Sequence, residues 1–132
     1  MNYSNKQYVI IATINRGIEK QCIKTLEKQC ITNIEICRNL EDIKEVVNED
    51  NMLNNCILLL LDIDTPRYIG DKLENSGEYI AIELMQLDIS IPTIIISHKD
   101  INYKDDNTVG KINCTYKDIN NCLTTYIINN IN

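Results

Sequence analysis

The chain has 132 residues, a length that suits one domain with one hydrophobic core. Hydrophobic residues make up 44% of it, and because Phe and Trp are absent the core must consist mainly of Ile, Leu, Val and Cys. The formal net charge is −6 at pH 7, which argues against a nucleic acid or an anionic membrane as the main partner, since phosphate groups repel an acidic surface. Proteins, cations and small molecules remain as partner classes.

Cysteine usage indicates a reducing compartment. The chain has six cysteines and one histidine, His98, but it has no Cys-x-x-Cys pair and no histidine near a cysteine in sequence. A zinc site is therefore not expected, and the cysteines are expected to be free thiols. They are Cys22, Cys30, Cys37, Cys56, Cys114 and Cys122. Because the segment at residues 1–7 is polar and no apolar run is long enough to span a bilayer, the sequence predicts a cytoplasmic protein.

In the first half of the chain, two strand patterns alternate with two helical patterns. Tyr8–Ala12 is a continuous apolar run, which is typical of a strand buried on both faces. Apolar residues then recur at helical spacing over Ile18–Cys30, which predicts an amphipathic helix. Asn33–Cys37 alternates like a second strand, and Asn39–Val47 is predicted to be a helix whose first residue supplies the N-cap.

The middle of the chain contains the two most apolar strand patterns. Cys56–Leu61 ends abruptly at Asp62 and is typical of the central strand of a parallel sheet, because both of its faces must be covered. A helix is predicted from about Gly77–Leu87, and Pro92–Ser97 is a further short buried strand. The segment His98–Gly110 is rich in Asp, Asn and Lys, so it is expected to hold at most a short, weak helix.

The last two elements complete the alternation of strands and helices. A strand lies within Val109–Tyr116, and Asp118 is a candidate N-cap for the final helix. Short apolar strands that alternate with amphipathic helices predict right-handed crossovers and helices on both faces of the sheet. We therefore expect a single doubly wound α/β domain over residues 1–132, flavodoxin-like, with a five-stranded parallel sheet in the strand order 2-1-3-4-5.

Sites in doubly wound sheets lie at the carboxyl ends of the strands, and the motifs at three of these ends resemble those of one family. Asp62–Pro66 reads Asp-Ile-Asp-Thr-Pro, which has the spacing of the family's Asp-x-x-Met-Pro with Thr in place of Met. Pro92–Ser97 resembles its fourth strand, which follows a proline and ends in Thr or Ser. Lys117 matches a Lys at the end of its fifth strand, although Asp118 replaces the proline that usually follows. Over nearly its whole length the chain resembles the response-regulator receiver domains.

The resemblance implies a role for three residues. Asp62 would be the phosphoryl acceptor, with its carboxylate as the nucleophile. Ser97 would be the switch hydroxyl that hydrogen-bonds the phosphoryl oxygens, and Lys117 the cation that offsets their charge. The resemblance also implies a stand-alone signalling domain of a bacterial two-component or related phosphorelay system. Such a domain is not an enzyme; it contacts a protein partner such as a histidine kinase and can form a homodimer.

The end of the first strand departs from the family pattern. Receiver domains have a pair of acidic residues there that hold Mg²⁺, whereas this chain has Ala12 and Thr13. Asp62, with Asp64 as a second carboxylate, would hold Mg²⁺ only weakly, and no other cofactor is expected. If the lost metal is worth about 3 kcal/mol in the transition state, phosphoryl transfer slows roughly a hundredfold. The sequence therefore predicts an atypical receiver, or pseudo-receiver, with deficient phosphorylation.

Several alternatives stay open. Arg67–Asn75 makes the third strand-to-helix connection longer than is usual in the family, and this insertion can either cover the pocket or contact a partner. Asp62 and Ser97 can also be plain strand-end residues, Asp64 a turn former, and Lys117 an exposed lysine before a helix. The alternative function is a small flavodoxin-like ligand-binding domain or enzyme outside phosphorelay. That alternative rests on the fold class alone, because no glycine-rich phosphate loop and no catalytic triad is visible.

Overall fold

The computed structural model describes residues 6–49 and 52–131, so most of the polar segment at residues 1–7 lies outside the described residues. The strands are β1 (Tyr8–Ala12), β2 (Ile34–Cys37), β3 (Cys56–Asp62), β4 (Thr93–Ser97) and β5 (Thr108–Asn113). The helices are α1 (Arg16–Lys28), α2 (Leu40–Val47), α3 (Met52–Asn55), α4 (Ser76–Gln86) and α5 (Tyr116–Asn130). All strand pairs are parallel, and the order is β2-β1-β3-β4-β5. The predicted fold class and strand order are confirmed, whereas the single turn α3 was not predicted.

Helices cover both faces of the sheet. On β3, Leu58 and Leu60 point into a core shared with α1 and α5, while Leu59 and Leu61 point into a second core shared with α2 and α4. All four leucines are fully buried. A strand with a helical layer on each side has no solvent-facing positions, which is why β1, β3 and β4 show continuous apolar runs rather than alternation. Within the described residues, no helix has the length and apolarity needed to cross a membrane.

Side-chain caps fix where the helices begin. The side chain of Asn15 accepts hydrogen bonds from the backbone N–H groups of Gly17 and Ile18 at the start of α1. Asn39 caps α2 as predicted. The predicted cap of α5 is wrong, because Thr115 caps that helix and accepts from the N–H of Asp118 at 3.3 Å. Asp118 lies instead in the first turn, where its negative charge interacts favourably with the positive end of the helix dipole.

The last strand is shorter than the predicted segment. β5 ends at Asn113, which pairs with Ser97, and the N–H of Cys114 donates to the carbonyl of Ser97 at 3.0 Å. The chain then turns away from the sheet into α5. Lys117 therefore lies in the first turn of α5 and not at a strand end, which corrects the placement expected from the sequence.

The connection between β4 and β5 has no helix in its described residues. Its turn is held by Asp105, whose carboxylate accepts from the N–H of Asn107 at 2.8 Å and from the hydroxyl of Thr108 at 3.2 Å. Tyr103 donates its hydroxyl proton to Asp105, and its ring contacts the core on the α4 side of the sheet. One partly buried aromatic ring thus contributes to that core from a segment without a helix.

Candidate functional site

Asp62 is the buried acidic group at the carboxyl edge of the sheet. It is the last residue of β3 and is only 4% exposed. Its Oδ2 accepts a hydrogen bond from the hydroxyl of Thr13 at 2.6 Å, and its Oδ1 accepts from the N–H of Asp64 at 3.0 Å. Ala12 pairs with Leu61 in the sheet, so the residues that follow them, Thr13 and Asp62, lie side by side.

The direction of the Thr13–Asp62 hydrogen bond follows from the other partner of the hydroxyl. Thr13 Oγ1 accepts from the N–H of Asn15 at 3.0 Å, which leaves its one proton for the carboxylate. The backbone of Thr13 is also held, because its N–H donates to the carbonyl of Cys37 at 3.1 Å and its carbonyl accepts from Arg38 Nη1 at 3.0 Å. The hydroxyl is therefore a fixed donor to Asp62.

Thr65 ties the turn after β3 to the first strand. The hydroxyl of Thr65 is buried and donates to the carbonyl of Ala12 at 2.8 Å. The N–H of Thr65 donates to the carbonyl of Asp62 at 3.0 Å, which closes the turn. This Thr thus has a structural role that the sequence motif alone does not reveal, since its partner is on a strand more than fifty positions earlier.

Burial dominates the electrostatics of Asp62. Desolvation raises the pKa of its carboxyl group above the usual range, and the hydrogen bonds from Thr13 and Asp64 lower it by less than burial raises it. The ionised form is therefore held by two donors but is still less stable than it would be in water. Removal of either donor is expected to raise this pKa further.

A cavity of about 440 Å³ opens beside Asp62. Asp64, His98 and Cys114 are among its lining residues, which come from the ends of β3, β4 and β5. The carboxylate of Asp64 is exposed, and its Oδ2 lies 3.5 Å from Nδ1 of His98. Three neighbouring strand ends therefore bring polar groups to one opening, as the rule for doubly wound sheets predicts.

Cys114 is the residue after β5 that reaches this cavity, and sequence analysis did not identify it. Partial burial raises the pKa of its thiol, and the nearby charge of Asp62 raises it further. The group is therefore a neutral thiol at neutral pH and supplies no positive charge to Asp62. The only signal for it in the sequence is alternation along β5, because Cys114 is two residues after the buried Ile112 and points to the same face.

Ser97 and Lys117 do not join Asp62 in this arrangement. Ser97 is buried at the end of β4, but its hydroxyl accepts from the N–H of Lys99 at 3.2 Å and lines a separate cavity of about 150 Å³. Lys117 is exposed, and its side chain makes no ion pair or hydrogen bond with the described residues. The roles that the resemblance gives to these two side chains stay predictions, and within the described residues neither side chain makes a hydrogen bond or an ion pair with Asp62.

The insertion Arg67–Asn75 forms an ordered turn next to the site. Arg67 donates to the carboxylate of Asp71 through its backbone N–H at 3.0 Å and through Nε at 2.9 Å, which holds the pKa of Asp71 well below its usual range. Ile69 of this turn is 90% exposed and shares a cavity of about 410 Å³ with Ile14. The insertion does not line the Asp62 cavity.

The residues around Asp62 form a poor site for a Mg²⁺ ion. Thr13 donates a proton to Oδ2, and the N–H of Asp64 takes Oδ1, so both carboxylate oxygens face donors. Among the residues that the structure describes, no three His, Cys, Asp or Glu side chains are arranged to hold a metal ion. Each oxygen of Asp62 keeps a second lone pair that a cation can use, but Thr13 supplies no carboxylate beside it, and Mg²⁺ in proteins is usually held by one or two carboxylates together with waters and phosphate oxygens.

The strand order defines an open, doubly wound α/β protein. The buried carboxylate of Asp62 lies at the end of the central strand, next to the point where the strand order reverses direction. No protein-family model and no curated protein matches this sequence.

Solved structures do match. A response regulator receiver protein from Pseudoalteromonas atlantica has 15% sequence identity and a TM-score of 0.67, covering 95% of this chain and 99% of its own. A response regulator receiver domain protein from Methanospirillum hungatei has 16% identity and a TM-score of 0.60, covering 93% and 94%. Another match, with 15% identity, a TM-score of 0.57 and coverage of 90% and 97%, comes from a crystal structure of a histidine kinase in complex with a response regulator protein. The chain thus has the fold of the receiver domains, as its motifs predicted.

Replacing Thr13 by Val should lower the free energy of unfolding by about 1–3 kcal/mol at neutral pH, because a buried carboxylate loses a hydrogen-bond donor. The pH dependence follows from the raised pKa of Asp62. Below the pKa of the unfolded chain the carboxyl group is protonated in both states, and the cost of its charge appears only as the pH rises through the higher native pKa. The loss in the variant should therefore be smaller in acid, as denaturant titrations across pH would measure.

Thr13→Ser is the matched control, since it keeps the hydroxyl and should show a much smaller pH-dependent loss. A loss in Thr13→Val that is the same in acid and at neutral pH would contradict the assignment of Asp62 as the partner of this hydroxyl.

Proposed function

We propose that this chain is a receiver-like signalling domain of a bacterial two-component or related phosphorelay system. In this proposal it acts through contacts with a protein partner, it is not an enzyme, and it is deficient in Mg²⁺-dependent phosphorylation of Asp62. The receiver-domain fold and the position of Asp62 at the end of the central strand support the signalling role. A histidine kinase is the partner class that the complex among the neighbouring structures suggests. The proposal also includes a homodimer of this chain.

The observation that carries the proposed deficiency is the hydrogen bond from Thr13 to Asp62. Formation of an acyl phosphate requires a carboxylate oxygen to attack phosphorus while the leaving group departs with its electron pair. A hydroxyl donor at 2.6 Å reduces the electron density on that oxygen, and Thr13 supplies no ligand charge for a metal. The neighbouring Cys114 is neutral, so it does not offset the charge of an incoming phosphoryl group. The two contributions that would stabilise the transition state, a bound metal ion and a neighbouring positive charge, are therefore both weakened.

Incubation with acetyl phosphate and Mg²⁺ should label the protein roughly a hundredfold more slowly than a receiver domain that has the acidic pair, as followed by intact mass. Beryllofluoride with Mg²⁺ should leave the NMR spectrum almost unchanged. Asp62→Asn serves as the control, and any slow labelling of the natural chain should disappear in it. Rapid stoichiometric labelling of Asp62 would overturn the deficiency and leave the signalling role in place.

The alternative of a flavodoxin-like ligand-binding domain or enzyme has less support. The side chain of Asn15 occupies the N–H groups of Gly17 and Ile18 at the start of α1, where a bound phosphate would otherwise accept hydrogen bonds. A thermal-shift screen against nucleotides and flavins separates the two functions, because a large stabilisation by one of these ligands would favour the alternative.

The proposed location is the cytoplasm. The structure joins none of its six cysteines in a disulfide, and Cys37 and Cys56 are buried. Disulfides are rare in the reducing cytosol, so unpaired cysteines of this number agree with that compartment.

A further inference from the structure

A stripe of four cations runs along the exposed side of α1. Its members are four residues apart, so they lie above one another on the helix over a length of about 18 Å. They are Arg16, Lys20, Lys24 and Lys28, and all four are exposed. We call this set the basic stripe. Like charges at this spacing repel one another, so the stripe does not stabilise the isolated helix.

Carboxylates within the chain do little to neutralise the basic stripe. The largely exposed side chain of Arg16 lies 3.5 Å from Glu19, and Glu19 is shared with Arg38. Lys20 and Lys24 make no ion pair with the described residues and flank a shallow groove of about 460 Å³ on α1. The stripe is therefore available to acidic groups of another molecule.

Charge is distributed unevenly between the two faces of the sheet. Helices α1 and α5 carry five cationic and three acidic side chains, whereas α2 and α4 carry one cationic and five acidic side chains. The two pairs of helices cover opposite faces of the sheet. The acidic side includes three exposed carboxylates spaced four residues apart on and just after α2, which we call the acidic group: Glu41, Glu45 and Glu49.

The acidic group has the spacing and the sign that the basic stripe requires. Glu45 and Glu49 form no ion pair within the described part of the chain, while Glu41 lies 3.5 Å from Lys44. Because the stripe and the group lie on opposite faces, they cannot meet within one molecule. They can meet only between molecules, with α1 of one copy against α2 of the next.

We propose that copies of this chain associate head to tail through the basic stripe of α1 and the acidic group of α2. This contact joins two different surfaces, so it does not close into a two-fold dimer and instead extends from copy to copy. Exposed ion pairs are individually weak and are screened within about 8 Å at physiological salt, so the association is weak and salt-sensitive. The inference is independent of the phosphorylation chemistry of Asp62.

The test is sedimentation velocity of the full chain over a concentration series at low and high salt. At low salt the sedimentation coefficient should rise with concentration, and high salt should abolish the rise. Lys20→Glu combined with Lys24→Glu should lose the rise, as should Glu45→Lys combined with Glu49→Lys. An equimolar mixture of the two variants should recover association, because each retains the surface that the other lacks.

The matched control is Lys72→Glu combined with Lys104→Glu, which changes the net charge by the same amount at exposed positions away from the stripe. It should behave like the natural chain. A natural chain that stays monomeric at every concentration and salt would overturn the proposal, as would association that strengthens with salt. Association that survives both charge reversals, or a mixture that fails to recover it, would equally overturn the pairing of these two surfaces.

Discussion

Replacing Thr13 by Asp should make the stability of the protein depend on Mg²⁺. The new carboxylate would lie in the fully buried position that now donates to Asp62, so two acidic groups would face each other. Without metal the free energy of unfolding should fall by about 3 kcal/mol or more, because a buried charge without a partner is costly. Mg²⁺ at a hundred times its dissociation constant should return about 2.7 kcal/mol. Thermal unfolding with EDTA and with Mg²⁺ measures both effects.

Thr13→Asn is the control for this variant, since the amide has the same size but no charge. Neither the natural chain nor Thr13→Asn should respond to Mg²⁺. Thr13→Asp also offers a chemical readout, because acetyl phosphate should label Asp62 faster in this variant than in the natural chain. Adding Cys114→Lys to supply a cation should accelerate the labelling further. A natural chain that Mg²⁺ stabilises as strongly as the variant would contradict our account of the site.

Replacing Gly77 by Ala should destabilise the protein by about 1–3 kcal/mol, the usual cost of overpacking. A Cβ atom at Gly77 would lie 2.7 Å from the carbonyl oxygen of Asp62 and 2.8 Å from Cα of Ile63. Both contacts are with backbone, which cannot move aside as a flexible side chain would. The N–H of Gly77 also donates to the carbonyl of Ile63 at 2.8 Å, so α4 begins directly against the end of β3. The first turn of α4 would have to shift away from the segment that carries Asp62.

Gly110→Ala is the matched control, because its Cβ would meet only Ile94 Cγ1 at 3.7 Å, an ordinary contact. Helix propensity alone favours Ala over Gly by about 1 kcal/mol, so a loss of stability in Gly77→Ala would come from the close approach to the strand. Denaturant titration compares the two variants directly. Equal stabilities of Gly77→Ala and Gly110→Ala would mean that α4 is free to move at this point.

Much of the fold was predictable because each element carries a local signal. The continuous apolar runs of β1, β3 and β4 follow from helical layers on both sides of the sheet, and the side chain of Asn39 is a local N-cap. The strand order followed from general rules for alternating strands and helices, and the structure confirms it. Where two residues compete for one role nearby, local reasoning was less reliable: Thr115, and not Asp118, caps α5.

The composition of the site was only partly predictable. Asp62 was found because an acidic residue that ends a buried strand stands out in the sequence. Cys114 was missed, and Lys117 was placed at a strand end, because the register of β5 against β4 decides which residue after the strand reaches the cavity. The sequence between Ile112 and Lys117 has no apolar run that would mark the end of β5. The hydrogen bond between Thr13 and Asp62 joins residues 49 positions apart, beyond any local pattern.

Except for the single turn α3, the sequence by itself determined which segments are strands and helices and how they alternate, because burial imposes a period on the side chains of each segment. It also determined that the first strand ends without a carboxylate, at Ala12 and Thr13. Only the tertiary structure decided that the Thr13 hydroxyl donates to Asp62 and that Cys114 lines the same cavity as Asp62. Such contacts depend on how neighbouring strands are aligned, and that alignment is set by the packing of the whole sheet against its helices.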